Sequence, residues 1–424
     1  MATPRDSKKR RNGIVGTIAL IVLLVSVAAL SGVTAFNYMG HSASKTTQTA
    51  INASVDNLIN QMNVALNIKV LNPDGKVAAN YSYPHDIITN QFIKFLAGMW
   101  GYNGNGAACP SANNVGSGTS VSMCGGTGQA YSPFISAYYG SVNTAYVTND
   151  GGYIGIGTGT TTVARADYKL QTQVGSWAPV TTPTISGNSV TVVASITLTS
   201  PATISEAGFA EQLGACYQAS CPLGGTTYMF LFFHDTFAGF AVGTDQTVQI
   251  QYTLNLPSGS NQNLVAWLAS SMQYVSTSST FFNIGAMVDS TGTTHVTGSL
   301  AWWVQDTSSG SSSFVSDPAM PSIEVGTSNT APATTDYQLN AQVGSAAAIV
   351  TETTDLTNSL FLDQGPIPLS SSYTIQEIGF FYNGESNEVI YNQGSLHFLL
   401  FHNTIAAVAI PSGNAITAQF TVGF

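Results

Sequence analysis

The chain writes the same passage twice, and that repetition constrains its fold more than any other feature. "FFHDTFAGFAVGTDQTVQIQYTL" (Phe232 to Leu254) returns as "LFHNTIAAVAIPSGNAITAQFTV" (Leu400 to Val422), placing His234 opposite His402. Upstream, "GTGTTTVARADYKLQTQVGS" (Gly157 to Ser176) aligns without a gap on "GTSNTAPATTDYQLNAQVGS" (Gly326 to Ser345), pairing Asp167 with Asp336. Between these blocks, "TISEAGFA" matches "TIQEIGFF", pairing Glu206 with Glu377. The helical pattern "HDIITNQFIKFLAGMWGY" has a shorter counterpart in "NQNLVAWLASSMQY". Four blocks in one order mark two copies of a single structural unit.

The blocks read mostly as strands. "NSVTVVASITL", "TTYMFLFFH", "QTVQIQYTLNL" and "AITAQFTVGF" alternate with period two or form short apolar runs, and Gly, Pro, Asn and Ser separate them. The Asp of the "DYxL" block follows a Thr-rich turn, an N-cap signal for a short helical turn. The expected fold is therefore mainly β: two tandem β-sandwich or jelly-roll-like domains, over 68–257 and 258–424, each with a small helix. Tyr102 to Asp150, rich in Gly, Asn and Ser, reads as a long loop excursion, with Asp289 to Asp317 as its equivalent.

The amino-terminal part is different. Arg5, Lys8, Lys9, Arg10 and Arg11 form a basic tail over 1–13, and 14–36 is an uncharged apolar run long enough to span about 30 Å of hydrocarbon as a helix. The basic side belongs in the cytoplasm or virion interior, which puts the remainder outside. A cleaved secretory signal is one alternative. Another is an archaeal prepilin-type leader cut after Gly13, which Arg11-Asn12-Gly13-Ile14 resembles, with Asn where a basic residue is usual. Over 37–67, Ile51, Val55, Leu58 and Met62 form a heptad-like stripe, expected as a helical stalk that joins copies into a homo-oligomer.

Charge excludes one class of partner. Only 8% of the 424 residues are charged and the formal net charge is −10. Beyond the tail no Lys or Arg cluster exists to release counterions from a nucleic acid, so no nucleic-acid binding is expected. The four cysteines fall in two close pairs, Cys109 with Cys124 and Cys216 with Cys221, read as local disulfides of an oxidising compartment. Metal binding is the alternative, but the spacings are not CxxC and no His lies beside them. Asn52 and Asn80 open glycosylation sequons.

Catalytic motifs are missing: the sequence has no GxSxG, HExxH, GxGxxG or Walker loop. The recurring His234 and His402 read as structural histidines at strand ends. The recurring carboxylates read as a helix cap (Asp167, Asp336) and a partner of a neighbouring turn (Glu206, Glu377) rather than a glycosidase pair. No enzymatic activity, catalytic residue, cofactor or metal is expected.

With these residues read, a resemblance can be stated. "IGIGTGTTTVARADYKL", "ISEAGFA" and "GTDQTVQIQYTL", followed by their second copies, resemble modules in tailed-phage tail fibres and in spike or turret proteins of archaeal viruses, over roughly Asn80 to Phe424. The resemblance implies an exposed virion or cell-surface building block, with capsid or coat proteins and a host surface glycan or protein as partners. The apolar anchor departs from tail fibres and points to a lipid membrane, in a virion or cell envelope, with a single pass. A surface-layer or pilin-like filament subunit and a secreted carbohydrate-binding or hydrolytic protein stand as the alternatives. The disulfide reading predicts that the purified chain takes up no alkylating label without reductant and four labels per chain after reduction; labelling before reduction would refute it.

Overall fold

A computed structural model describes residues 49–51, 62–83, 87–100, 111–122, 129–131, 151–217, 227–273, 286–296, 300–301, 322–355, 359–364, 366–386 and 396–424. The chain in these residues is mainly β. Gln48 to Phe424 forms one compact unit.

Repeat 1 builds two sheets. The first is made by β1 (Asn63–Leu71), β2 (Val77–Tyr83), β5 (Ser189–Thr197) and β8 (Thr247–Asn255), in the order β5-β8-β1-β2, with the short strand Thr184–Ser186 outside β5. Period-two alternation sets its register. Val64, Leu66, Ile68 and Val70 stand opposite Leu254, Tyr252, Ile250 and Val248, and all eight are buried. The second sheet runs β7-β6-β3-β4, from β3 (Gly151–Gly157), β4 (Gln173–Pro179), β6 (Ala202–Tyr217) and β7 (Thr227–Val242), with Ile87–Ile88 beside β7 and Gln129–Tyr131 on β6. Every residue of β3 is buried, as expected for a Gly- and Ile-rich central strand covered on both faces. Helix α1 (Asn90–Trp100) buries Phe92, Ile93, Phe95 and Leu96 in the same core that takes the inward residues of both sheets.

Repeat 2 follows the same order: α2 (Gln262–Ser271), β9 (Ser322–Gly326), β10 (Gln342–Asp355), β11 (Ser359–Gln364), β12 (Tyr373–Ser386), β13 (Leu396–Ile410) and β14 (Ala415–Gly423). Here the strands join one nine-stranded sheet, because β10 pairs with β9 through its first half and with β11 through its second. Its counterpart β4 stops at Pro179, and a second proline, Pro183, follows. Proline lacks the N–H a continuing ladder needs, so repeat 1 splits where repeat 2 runs on.

The helices match as the sequence pattern implies. Asn261 caps α2 by accepting the Asn263 N–H, and the Thr89 hydroxyl accepts the Gln91 N–H at the start of α1. The loop excursions also match in part. Hairpin Ser111–Asn113/Ser120–Ser122 hangs from α1 by the Asn113 N–H donated to the side-chain Oε1 of Gln91. Hairpin Ala286–Val288/Thr294–Val296 hangs from α2 by the Val288 N–H donated to the side-chain Oδ1 of Asn263.

Two expectations require correction or placement. The stretch 37–67 is not a continuous helix. Thr49–Ile51 is a strand parallel to β14, and Asn63 to Asn67 belong to β1, where the alternation of Val64, Leu66 and Ile68 overrides the heptad spacing that ends at Met62. The apolar segment 14–36 lies outside the described residues, and among the described residues no helix is long and apolar enough to cross a membrane. Asn52, Cys109, Cys124 and Cys221 also lie outside them. Cys216 is placed only by its backbone, in β6 opposite Ala130. Asn80 is exposed on β2.

The two copies share one core. Phe95 of α1 stacks on Trp267 of α2, with centroids 6.1 Å apart and planes at 17°. Phe92 meets Phe424 edge-on at 6.2 Å, and Arg165 donates to the Phe424 carbonyl at 2.6 Å. Trp267 is fully buried. Trp267→Ala should cost about 3–5 kcal/mol, and calorimetry should show the whole body melting in one transition at lower temperature. Two separate transitions, with repeat 1 unmoved, would contradict a shared core.

Candidate functional site

In each copy, the three residue types paired by the repeat converge on one buried point. His234, at 0% exposure, faces Asp167 Oδ2 through Nδ1 and Glu206 Oε1 through Nε2, both at 2.9 Å. His402 faces Asp336 Oδ2 at 2.7 Å and Glu377 Oε1 at 2.8 Å in the same way. An imidazole can donate from both nitrogens only when protonated. Each imidazole is held between two carboxyl groups, one at each ring nitrogen.

The strands aim these groups. In β6 the register shifts between Ile204 and Glu206, and in β12 between Ile375 and Glu377. A bulge immediately before each Glu turns its side chain inward. Gly208 stands opposite His234 and Gly379 opposite His402, and a Cβ there would collide with Leu231 and Leu170 in one copy and with Leu399 and Leu339 in the other. Gly157 and Gly326, opposite the two glutamates, let the carboxylates lie against the backbone, where a Cβ would collide with them.

Each Glu also fastens a turn. Glu206 accepts the N–H groups of Gln171 at 2.5 Å, Thr172 at 3.2 Å and Gly159 at 3.2 Å. Glu377 accepts those of Asn340 at 2.6 Å and Ala341 at 3.1 Å. Burial pushes the Glu206 carboxyl up, but the hydrogen bonds from His234, Gln171 and Thr172 outweigh it and hold the group below its ordinary value. Asp167 does not start a helix. Its carboxylate reaches back to the Ala164 N–H at 2.9 Å, as Asp336 does to Ala333 at 2.8 Å, closing a turn whose other face meets the histidine. Glu206 and Glu377 bond to a neighbouring turn as expected, whereas Asp167 and Asp336 close a turn rather than cap a helix, and His234 and His402 lie in mid-strand, not at strand ends. Their convergence into one cluster was not read from the sequence, although three titratable residues recurring together in both copies carried that signal.

Among the described residues no group of three or more His, Cys, Asp or Glu side chains is arranged to hold a metal ion.

The copies diverge at one neighbouring place. In repeat 1, Trp177 covers Gly155, and together with Met229, Lys169, Leu170, Gln173 and Gln212 it lines an open cavity of about 430 Å³. In repeat 2 the registers put Glu324 in the place of Gly155, Ser322 in that of Tyr153 and His397 in that of Met229. Burial pushes Glu324 up to about 7 and His397 down to about 4.

Comparison with protein-family models, curated proteins and solved structures finds no match to this chain.

Glu206 makes stability pH-dependent. Glu206 ionises more readily folded than unfolded, so its contribution is present above the ordinary carboxyl value of 4.5 and is lost as pH falls below it. His234→Ala strands two carboxylates and should cost about 3–5 kcal/mol at neutral pH, read from urea melts. Glu206→Gln should also destabilise at neutral pH and flatten the acid limb of the stability curve. An unchanged melt in His234→Ala would rule out the clamp.

Proposed function

We propose that this chain is a membrane-anchored structural protein of an exposed surface, a spike, turret or projecting fibre of an archaeal virus envelope. In this reading 1–13 is a basic tail on the inner side, 14–36 spans the bilayer, and the duplicated body stands outside as two tandem β-sandwich or jelly-roll-like units. The observation that carries it is the doubled clamp. Both copies join their recurring titratable residues to one another in the same way. Duplication then extends a rigid body and buries a shared interface.

Composition supports an outside location. A body with so few Lys and Arg has no stripe for nucleic acid, and four cysteines in close pairs fit an oxidising compartment. Trp177, beside the amides of Gln173 and Gln212, gives repeat 1 an open recess suited to stacking and hydrogen bonding with a host glycan. Asn80, exposed on β2, is open to glycosylation. A pilin-like or surface-layer filament subunit is the alternative, which the Arg11-Asn12-Gly13-Ile14 leader favours.

The test is fractionation of the full chain with amino-terminal sequencing. The expected result is a protein that stays with membranes after alkaline carbonate washing, with the body digested by external protease. A mature start at Ile14 in isolated filaments would transfer the assignment to the filament reading. Recovery as a cytosolic protein with reduced thiols would end both.

A further inference from the structure

The place where the two copies diverge holds, in repeat 2, a serine, an imidazole and a carboxylate in sequence. Ser322 and Glu324 are two residues apart on β9 and share a face. Ser322 Oγ lies 3.2 Å from His397 Nε2. Glu324 Oε1 lies 3.4 Å from His397 Nδ1, on the other side of the ring. Phe381 stacks on the imidazole with centroids 5.0 Å apart, fixing its plane. Ser322 and Glu324 are each 4% exposed, while the His397 side chain keeps 24% of its surface open.

The fold does not need these groups. Repeat 1 makes the same strands in the same register with Tyr153, Gly155 and Met229 at the three positions. Burying a carboxyl and an imidazole opposes folding unless something else retains them. All three positions are polar together in repeat 2 and none carries a titratable or hydroxymethyl group in repeat 1, apart from the phenol of Tyr153. The order is that of nucleophile, general base and orienting acid.

We propose that Ser322, His397 and Glu324 form a nucleophilic site for carboxylic esters, an activity beyond the structural role above. Ser322 Oγ attacks the ester carbonyl carbon as its proton passes to His397 Nε2, while Glu324 holds the Nδ1–H. The bond to the alcohol oxygen breaks, and the alcohol leaves with the proton from Nε2. Water then adds to the acyl-serine by the same route, releasing the carboxylic acid and restoring Ser322. No oxidant, metal or cofactor enters the balance.

The experiment treats the full chain in detergent with an alkyl fluorophosphonate, which bonds phosphorus to a reactive serine oxygen as fluoride leaves. Intact-mass and peptide mapping then locate the adduct. The expected result is one adduct per chain on Ser322, absent from Ser322→Ala and formed at least tenfold more slowly in His397→Gln. Release of p-nitrophenol from p-nitrophenyl acetate should fall in parallel, with circular dichroism unchanged. A merely structural histidine would not alter the labelling rate. No adduct on Ser322 in the unmodified chain, or an adduct that forms as fast in His397→Gln, overturns the proposal; the first result needs no variant to fold.

Discussion

An imidazole buried between two carboxyl groups is the interaction on which each copy depends. Taking three ionisable groups out of water is costly, and their mutual attraction offsets that cost only when the remaining lone pairs are satisfied. Both copies meet the condition in the same way. The Glu carboxylate collects backbone N–H groups from the turn after the "DYxL" block, and the Asp carboxylate collects one from the turn before it. The segment from Gly159 to Thr172 is thereby fastened to the central strands, and these hydrogen bonds offset the backbone entropy lost in ordering it. Two bulges and two pairs of glycines exist in the places this arrangement requires, and they recur in both copies.

The clamps position the edges of each unit, while the aromatic core joins the units. Phe92 and Phe95 from one copy meet Trp267 and Phe424 from the other, and Trp267 continues to Tyr382 at 6.4 Å. Burial of rings of this size is among the larger single contributions available to a domain. The differing sheet continuity shows how little sequence decides the layout around that core. Pro179 and Pro183 divide one copy into two sheets, and an uninterrupted β10 leaves the other as one.

Much of this was legible in the sequence. Period-two runs marked β5, β7, β8 and β14, and the aligned blocks predicted the equivalence of the two helices and of the recurring Asp, Glu and His. What stayed hidden was set by contacts between distant segments. Met62 ends a stripe with helical spacing, yet the next residues alternate and pair with β8, so long-range sheet formation outweighed a local pattern. The helix expected after Asp167 did not form because its carboxylate is engaged by His234 and by a residue on its amino side. The Ser322–His397 approach joins positions about 75 residues apart and matches no short motif. Matching Tyr153, Gly155 and Met229 with Ser322, Glu324 and His397 required knowledge of register.

Duplicating a unit ordinarily frees one copy to drift while the other keeps the old task. At the join the stacked rings of Phe95 and Trp267 withhold that freedom, because residues in contact do not change independently. A smaller ring on one side leaves a void that only a larger partner on the other side can close. Descendants of this chain are therefore bound to alter positions 95 and 267 as a couple, and an isolated half cut away at the join would carry an uncovered aromatic scar.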